Sequence, residues 1–275
     1  MRNIVVIAGK EIKEGLRNRW VLATTLLLAA LSLSLTFLGS APTGNIGAGA
    51  LDVVVVSLSS LTIFLLPLIA LLISHEAVVG EMERGTMILL LSYPVGRYQV
   101  LLGKFCGHVA ILAFATVIGY GAAAVALAVT GASVLAASWY AFASMLGTSI
   151  LLGAVFVAIG YLISSMVRDR GTAAGLSVGI WLLMVLVFDM GLLGILVIDQ
   201  GRIISAPVLE ALLFLNPTDL YRLTNLTGFN VSQFAGMAGL AGTASVGVGA
   251  LLSGLMVWIA APLGLATVFF ARREL

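Results

Sequence analysis

Nine methionines, two histidines and one cysteine are the residues of this sequence that could bind a soft metal ion. Soft sulfur ligands suit Cu(I). Met184 and Met190 do not share a helix face well, because they are six positions apart. Cys106 and His108 point in different directions on a helix. Methionine also fills gaps in apolar packing, so we expect no metal site in this chain.

A nucleotide-binding loop is a second chemistry to consider, because Gly103 and Lys104 form the nearest match to a phosphate-binding motif. Phe105 follows where a hydroxyl should bind Mg²⁺, and Tyr98 stands where the first glycine belongs. An intramembrane hydrolase would need a nucleophile paired with a base inside the spans, whereas both histidines lie near span ends. We therefore predict no catalytic residues and no enzymatic activity.

The composition predicts an all-α polytopic membrane protein rather than a soluble domain. Of the 275 residues, 61% are hydrophobic and 9% are charged, against about 25% charged in soluble proteins. A net charge of +2 is too small to indicate nucleic-acid binding. Several apolar runs approach or exceed the ~20 residues that cross a bilayer. We predict six spans, at residues 20–38, 53–74, 100–130, 136–167, 172–190 and 246–270.

The distribution of Lys and Arg predicts the orientation of these spans. Cytoplasmic loops carry an excess of basic residues. Only Arg202 and Arg222 fall on one side of the predicted spans. The other side carries Arg2, Lys10, Lys13, Arg17, Arg19, Arg84, Arg97, Lys104, Arg168, Arg170, Arg272 and Arg273. Both termini and the loop at residues 75–97 are therefore expected in the cytoplasm, with the whole chain forming one transmembrane domain.

Residues 1–19 predict an amphipathic helix that lies in the membrane interface before the first span. One face of this helix is apolar and another is basic. The apolar face consists of Val5, Ala8, Ile12 and Leu16, and the basic face of Lys10, Lys13 and Arg17. The alternative is a solvated basic leader that anionic lipid holds at the membrane.

The loop at residues 75–97 predicts a break between two helices. Gly85 suits the left-handed position after a helix end, and Thr86 is a good N-cap residue. A short helix at residues 87–92 should follow and end before Tyr93-Pro94, since the residue before proline disfavours helix.

This short helix is apolar almost all round and is predicted to dock a partner protein. Its apolar residues are Met87, Ile88, Leu89, Leu90 and Leu91. An exposed apolar patch of this kind is a liability unless something covers it. A partner with a hydrophobic groove would cover the patch, and the charged residues beside it would set the register. The alternative is that the helix dips back into the bilayer interface.

Residues 191–245, on the other side, predict a partly re-entrant or interfacial helical segment. It contains an apolar stretch at 192–198, an amphipathic stretch at 207–215, and turn and helix-start chemistry at residues 216–219. The segment could receive an external partner through Asn216, Pro217, Asp219 and Arg222. The alternative is a cap that only seals the outer ends of the spans.

Two sets of glycines are candidates for close helix packing. Gly171, Gly175 and Gly179 are spaced four apart at the start of the fifth span, and Gly247, Gly249 and Gly254 lie along the last span. Such spacing lets membrane helices approach closely. Either set could serve a dimer interface or packing within one subunit, and the sequence does not choose between these roles.

Several of these features together resemble a permease of the ABC-2 type, the membrane half of an ATP-binding-cassette transporter. They are the amphipathic N-terminal helix, the six spans, E-x4-E-x-E-R-G-T over residues 76–86, LLLSYP, G-R leading to L-G-K at 102–104, and L-N-P at 215–217. The resemblance covers nearly the whole chain. It implies a homodimer with two copies of a cytoplasmic ATPase, which would bind ATP and Mg²⁺ while this chain binds no cofactor.

By this resemblance, the loop at residues 75–97 couples the ATPase to the spans. The coupling residues would be Glu76, Glu81, Glu83, Arg84, Gly85 and Thr86, and the docking surface Met87, Ile88, Leu89, Leu90 and Leu91. Movement of the ATPase would push the short helix, and the spans would follow as rigid elements.

Two segments, HEAVVGEMERGTMILLLSYPV and FLNPTDLYRL, resemble more narrowly the permease subunits of transporters that support copper-site maturation of nitrous oxide reductase. This implies a bacterial inner-membrane protein, surrounded by lipid, that works with a periplasmic copper-handling protein to export or deliver a substrate. The alternative is a transmembrane mechanical coupler, through which the ATPase reshapes the periplasmic partner without moving a substrate.

Overall fold

The computed structural model describes residues 2–39, 50–129, 135–199, 206–228 and 247–273. Within these ranges every regular element is a helix, which confirms the all-α class. The elements are α1 Arg2–Leu16, α2 Arg19–Gly39, α3 Ala50–Ser74, α4 Val79–Glu83, α5 Thr86–Leu91, α6 Arg97–Val129, α7 Ala136–Met166, α8 Arg170–Leu182, a π-helix Leu183–Val187, α9 Phe188–Asp199, α10 Ala206–Phe214, α11 Pro217–Gly228 and α12 Val248–Arg272.

Six helical segments in the described residues are long and apolar enough to cross a membrane. They are Arg19–Phe37, Leu51–Glu83, Arg97–Val129, Ala136–Met166, Arg170–Asp199 and Val248–Arg272. The predicted number of spans is therefore confirmed.

The fifth span is longer than its sequence suggests. The prediction ends it near Met190 and assigns the apolar stretch at 192–198 to a separate outer segment. Instead α8, the π-helix and α9 follow one another without a break to Asp199. The predicted end is wrong. Asp189 interrupts the apolar run with an acidic side chain, and such an interruption usually marks the end of a span. The structure places Asp189 inside the span, where an arginine pairs with it.

The centre of the bundle is α7, which packs against α3 on one side and α12 on another. Leu152, Val155, Phe156 and Tyr161 of α7 are fully buried. The fifth span, by contrast, lies at the periphery and exposes most of its surface. Lipid or a second protein must therefore cover this span in the membrane.

The N-terminal helix α1 packs along α6 at positions where α6 has no side chain. A Cβ atom on Gly103 would meet Ile7, and one on Gly107 would lie 2.5 Å from the Cβ atom of Glu11. The predicted apolar face of α1 is not the face that packs against α6, since Val5 is 70% exposed. Ile7 and Glu11, one turn apart and both buried, form the face that contacts the bundle.

This close approach gives a stability prediction with a matched control. We expect Gly107→Ala to destabilise the protein, because the new methyl group would push α1 away from α6. Gly121 lies on the same helix, and a Cβ atom there would meet nothing within 4 Å, so Gly121→Ala should be neutral or slightly stabilising. Thermal unfolding of the two purified variants measures the difference, and an equal midpoint would contradict the prediction.

The glycines that the sequence singled out differ in their surroundings. A Cβ atom at Gly175 or Gly179 would meet nothing within 4 Å, whereas one at Gly254 would lie 3.0 Å from Leu220 and 3.1 Å from Phe214. Gly254 therefore serves packing within the subunit. The use of Gly175 and Gly179 in a dimer interface stays a prediction.

Candidate coupling site

The loop between α3 and α6 folds as two short helices with a sharp turn between them. Gly85 lies in the left-handed region at φ +71°, as predicted, and separates α4 from α5. Thr86, predicted as the N-cap, is instead the first residue of α5, and its hydroxyl donates to the carbonyl of Glu81 at 3.2 Å. We call the end of the bundle that carries α4 and α5 the loop end.

The apolar residues of α5 do not all face outward. Met87 is fully buried in the core, and Leu90 and Leu91 are half-buried against it. Ile88 is 57% exposed and Leu89 is 67% exposed. A surface for a partner therefore consists of Ile88 and Leu89, while Met87 anchors the helix to the bundle.

A buried lysine connects this loop to the N-terminal helix. The side chain of Lys104, on α6, is only 4% exposed. Its ammonium group lies 2.9 Å from Oε1 of Glu11 on α1 and 2.8 Å from Oε1 of Glu81 on α4. Burial alone raises the pKa of Glu11, but Lys104, His108 and Lys10 outweigh burial and hold this pKa below its ordinary value. Glu11 is therefore ionised at neutral pH.

The same cluster extends to α7 through a histidine. Nε2 of His108 lies 3.6 Å from Oε2 of Glu11, and Nδ1 of His108 hydrogen-bonds the hydroxyl of Tyr161 at 2.9 Å. The cluster thus joins α1, α4, α6 and α7. We missed this role of Glu11 and Lys104 in the sequence; the available indication was a lone lysine inside the third span, beside two glycines.

The other acidic residues of the loop bind the start of the fifth span. Glu83 accepts hydrogen bonds from the backbone N–H of Arg170 at 2.8 Å and from its guanidinium at 2.5 Å. Glu76 lies 3.8 Å from the same guanidinium. Ser164 of α7 accepts hydrogen bonds from the backbone N–H groups of residues 78 and 79, both at 3.0 Å. The loop is therefore attached to α7 and α8 as well as to α6.

Arg97, at the start of α6, fixes the end of the last span to the loop end. Its guanidinium donates to the carbonyls of Phe270, Ala271 and Arg273 at 2.9, 3.0 and 2.7 Å. It also lies 5.7 Å from the centroid of the Phe270 ring. Carbonyls in the last turn of a helix lack the regular intrahelical partners, and here only that of Phe270 also accepts from a described backbone N–H, that of Arg273 at 3.4 Å. Arg97 therefore caps α12. Arg84, the remaining charged residue of the predicted coupling region, is exposed.

Known proteins share this sequence over nearly its whole length. Residues 5–275 match the ABC-2 family transporter protein family. The chain is 48% identical over 270 residues to "Probable ABC transporter permease protein NosY" of Pseudomonas aeruginosa, covering 98% of each chain. It is 46% identical over 275 residues to the protein of the same name from Stutzerimonas stutzeri, covering 99% of each. The chain belongs to the ABC-2 transporter family. It is an ABC transporter permease, and a permease of this kind works with an ABC ATPase.

The residues of the permease that were predicted to contact a partner lie within the bundle, away from the loop end. α11 begins at Pro217, as predicted, and Asn216 accepts a hydrogen bond from the backbone N–H of Thr218 at 3.1 Å. The side-chain amide of Asn216 also donates to the carbonyl of Met184 at 2.8 Å. Asn216, Pro217 and Asp219 are buried. Direct contact of these residues with an external partner stays a prediction.

Two carboxylates and one arginine attach α11 to the fifth span. Arg222 lies 2.5 Å from Oδ1 of Asp219 and 2.6 Å from Oδ2 of Asp189. No described residue donates a hydrogen bond to the second, buried oxygen of either carboxylate. Burial raises the pKa of Asp219 to about 6, with Arg222 opposing the shift and Asp189 adding to it.

Buried hydroxyl groups form hydrogen bonds between helices inside the permease. Thr62 and Tyr120 lie 2.7 Å apart, Ser149 and Tyr221 lie 3.0 Å apart, and Thr148 donates to Asn225 at 3.1 Å. The last two pairs attach α11 to α7. These interior polar groups serve contacts between helices.

No three His, Cys, Asp or Glu side chains in the described ranges are arranged to hold a metal ion. Met87 and Met145 are buried in the core, while Met166, Met190 and Met256 are exposed on different helices. Cys106 is exposed as a free thiol.

Proposed function

We propose that this permease couples ATP hydrolysis by a separate ATPase to the export or delivery of a substrate for copper-site maturation of nitrous oxide reductase. The buried contact of Lys104 with Glu81 and Glu11 carries the coupling part of the proposal. A charge buried in low dielectric is costly to separate from its partners. Displacement of α4 would therefore move α1 and α6 with it.

The exposed side chains Ile88 and Leu89 are the proposed contact with the ATPase. They lie on α5, directly beyond Gly85, while Met87 on the same helix is buried in the bundle. A push on Ile88 and Leu89 would thus reach the core through Met87. Glu83 and Glu76 carry the same movement to the fifth span through Arg170.

The copper pathway and the assembly rest on sequence similarity. The segments at residues 75–95 and 214–223 resemble permeases of the nitrous oxide reductase maturation system. The two relatives carry the same name, "Probable ABC transporter permease protein NosY". The proposed assembly is a homodimer in a bacterial inner membrane, with both termini in the cytoplasm. It would hold two ATPase copies that bind ATP and Mg²⁺, and a periplasmic copper-handling protein.

A mechanical coupler is the second candidate function, and the attachment of α11 favours it. α11 binds α7 through Tyr221 and Asn225, and the fifth span through Arg222. The same two spans bind α4 at the loop end through Ser164 and Arg170. Movement of α4 would therefore reach the opposite end, where a periplasmic partner would respond, without a substrate crossing.

Reconstitution of the complex in proteoliposomes separates the two functions. ATP-dependent accumulation of a copper or sulfur compound inside inverted vesicles would support transport. ATP hydrolysis with no such accumulation, accompanied by an ATP-dependent change in protease sensitivity of the periplasmic protein, would support the coupler. Purification of the permease from its native membrane tests the shared premise: recovery without any ATPase under gentle conditions would refute both functions.

The docking proposal predicts that Leu89→Asp prevents binding of the ATPase. A carboxylate at this exposed position would have to enter an apolar groove without a partner. We expect at least a tenfold loss of ATPase recovered with the purified permease, with insertion into the membrane unchanged. Leu89→Met, which keeps the apolar contact, should retain assembly.

Ser92→Asp is the control for charge alone. Ser92 is exposed directly after α5, so this variant adds the same charge without removing an apolar side chain. Full assembly of the Leu89→Asp variant, or an equal loss in Ser92→Asp, would contradict docking through Leu89.

A further inference from the structure

A cavity of about 620 Å³ opens at the loop end beside α4. Its lining residues are Met82, Glu83, Arg168, Arg272 and Arg273. The three arginines come from two places that are distant in sequence, the turn between the fourth and fifth spans and the end of the last span. The cavity therefore concentrates positive charge where three spans end.

The charges of this cavity are not balanced within the part of the chain that the structure describes. The carboxylate of Glu83 is already bound by Arg170. No described acidic side chain lies within ion-pair distance of Arg168, Arg272 or Arg273. Within the described ranges, the guanidinium of Arg273 donates to the carbonyls of Ser164 and Ser165, at 3.3 and 3.4 Å. Repulsion from Arg168 adds to burial in lowering the pKa of Arg273. An anion in the cavity would relieve this repulsion.

The arginines are held in position before any ligand binds. Arg97 caps the carbonyls at the end of α12 and so fixes the backbone that carries Arg272 and Arg273. Asp169, next to Arg168, accepts hydrogen bonds from the backbone N–H and the hydroxyl of Thr172, both at 2.7 Å, and caps α8. Preorganised guanidinium groups bind phosphate well, because their planar N–H donors match its oxygens.

An exposed apolar stripe leads along α12 to Arg272. Leu265, Val268 and Phe269 are exposed, and they precede Arg272 by seven, four and three positions, so all four share one face of the helix. Met166, two positions before Arg168, is exposed as well. A helix that spans a membrane presents such a stripe to acyl chains, and its basic end then lies at the level of the lipid headgroups.

We propose that this cavity binds the headgroup phosphate of an anionic phospholipid, with Arg168 and Arg272 contacting the phosphate and the acyl chains lying along the Leu265–Phe269 face of α12. Met82 and Glu83 of the lining belong to α4. The bound lipid would thus touch the loop that contacts the ATPase, and the lipid composition of the membrane would affect coupling. The proposed lipid site does not depend on which substrate the permease serves.

Native mass spectrometry of the full-length permease, delipidated and titrated with phosphatidylglycerol, tests the site. The Arg168→Gln/Arg272→Gln double variant should bind phosphatidylglycerol roughly tenfold more weakly or worse, since each arginine near a headgroup contributes to anionic-lipid binding. The Arg168→Lys/Arg272→Lys variant should keep most of the affinity. Phosphatidylcholine with the same acyl chains should bind far more weakly than phosphatidylglycerol to the unaltered protein.

Arg17→Gln/Arg19→Gln is the matched control, because it removes two exposed arginines that do not line the cavity. Its affinity should change by less than about twofold. An equal loss in both double variants would overturn the proposal in favour of general charge attraction. Competition by inorganic phosphate at concentrations near those of the lipid would also overturn it, because the site would then bind a free anion without acyl chains.

Discussion

Lys104→Met should be the most damaging single substitution in this permease. It removes the cation between Glu11 and Glu81. Among the described residues Glu81 then has no cation within ion-pair distance, and Glu11 keeps only Lys10, at 3.9 Å, and His108, at 3.6 Å. One buried oxygen of Glu81 already has no hydrogen-bond partner among the residues that the structure describes. Removal of one member of a buried ion pair costs about 3–5 kcal/mol, which we expect to appear as a fall of roughly 10 °C in the unfolding temperature of the purified protein.

The pH dependence distinguishes loss of charge from loss of packing. In the unaltered protein the pKa of Glu11 is held below its ordinary value of 4.5. Its stabilising contribution is therefore present above that pH and is lost as the pH falls through the lower folded value. Without Lys104, burial dominates and should raise the pKa of Glu11. The deficit of Lys104→Met should then shrink as the pH falls from about 7.5 to 5.

Two further variants complete this experiment. Lys13 is an exposed lysine on α1, so Lys13→Met should leave the unfolding temperature within about 1 °C of the unaltered protein, as surface changes usually do. The triple variant Glu11→Gln/Glu81→Gln/Lys104→Met removes the uncompensated charges and should recover most of the lost stability. A deficit that is independent of pH and persists in the triple variant would mean that Lys104 acts through its shape alone.

The local features of the loop were predictable from the sequence, whereas the network behind it was not. Gly85 indicates the break between α4 and α5 because a left-handed residue favours glycine, and six spans follow from long apolar runs. Glu11, Glu81 and Lys104 are separated by 70 and 23 positions, so nothing local links them. Periodicity also failed to show which residues of α5 face inward, because Met87–Leu91 are all apolar.

The error in the fifth span has the same origin. Asp189 breaks an apolar run, and an isolated carboxylate inside a membrane is costly, so the sequence favours a span that ends there. Arg222 lies 33 positions away and supplies the missing charge. The structure also buries Asn216 and Asp219, which the sequence favoured as surface residues because loop chemistry usually marks exposed turns.

Arg222→Met should release α11 from the fifth span at neutral pH. The arginine is the shared partner of Asp189 and Asp219, and its removal leaves these two carboxylates facing each other. The side chains of Arg222 and Asp189 are both 22% exposed, so this pair is less buried than that of Lys104. We expect on the order of 2–3 kcal/mol, below the cost for a fully buried pair, and faster hydrogen exchange in residues 217–228. Arg222→Lys should recover only part, because an ammonium group lacks the two-sided donor geometry of a guanidinium.

The raised pKa of Asp219 determines whether the stability of the Arg222→Met variant rises or falls with pH. In the folded protein that pKa is raised from 3.8 to about 6, so the ionised carboxylate opposes folding above about pH 6, and the cost is relieved as the pH falls toward 4. The Arg222→Met variant should therefore regain stability between pH 7.5 and 5 more steeply than the unaltered protein. Asp219→Asn, which removes the titrating group, should flatten the dependence in that range and be at least as stable at pH 7.5. A variant Arg222→Met whose α11 stays as protected from exchange as in the unaltered protein would show that the hydroxyl pairs with α7 suffice to hold this helix.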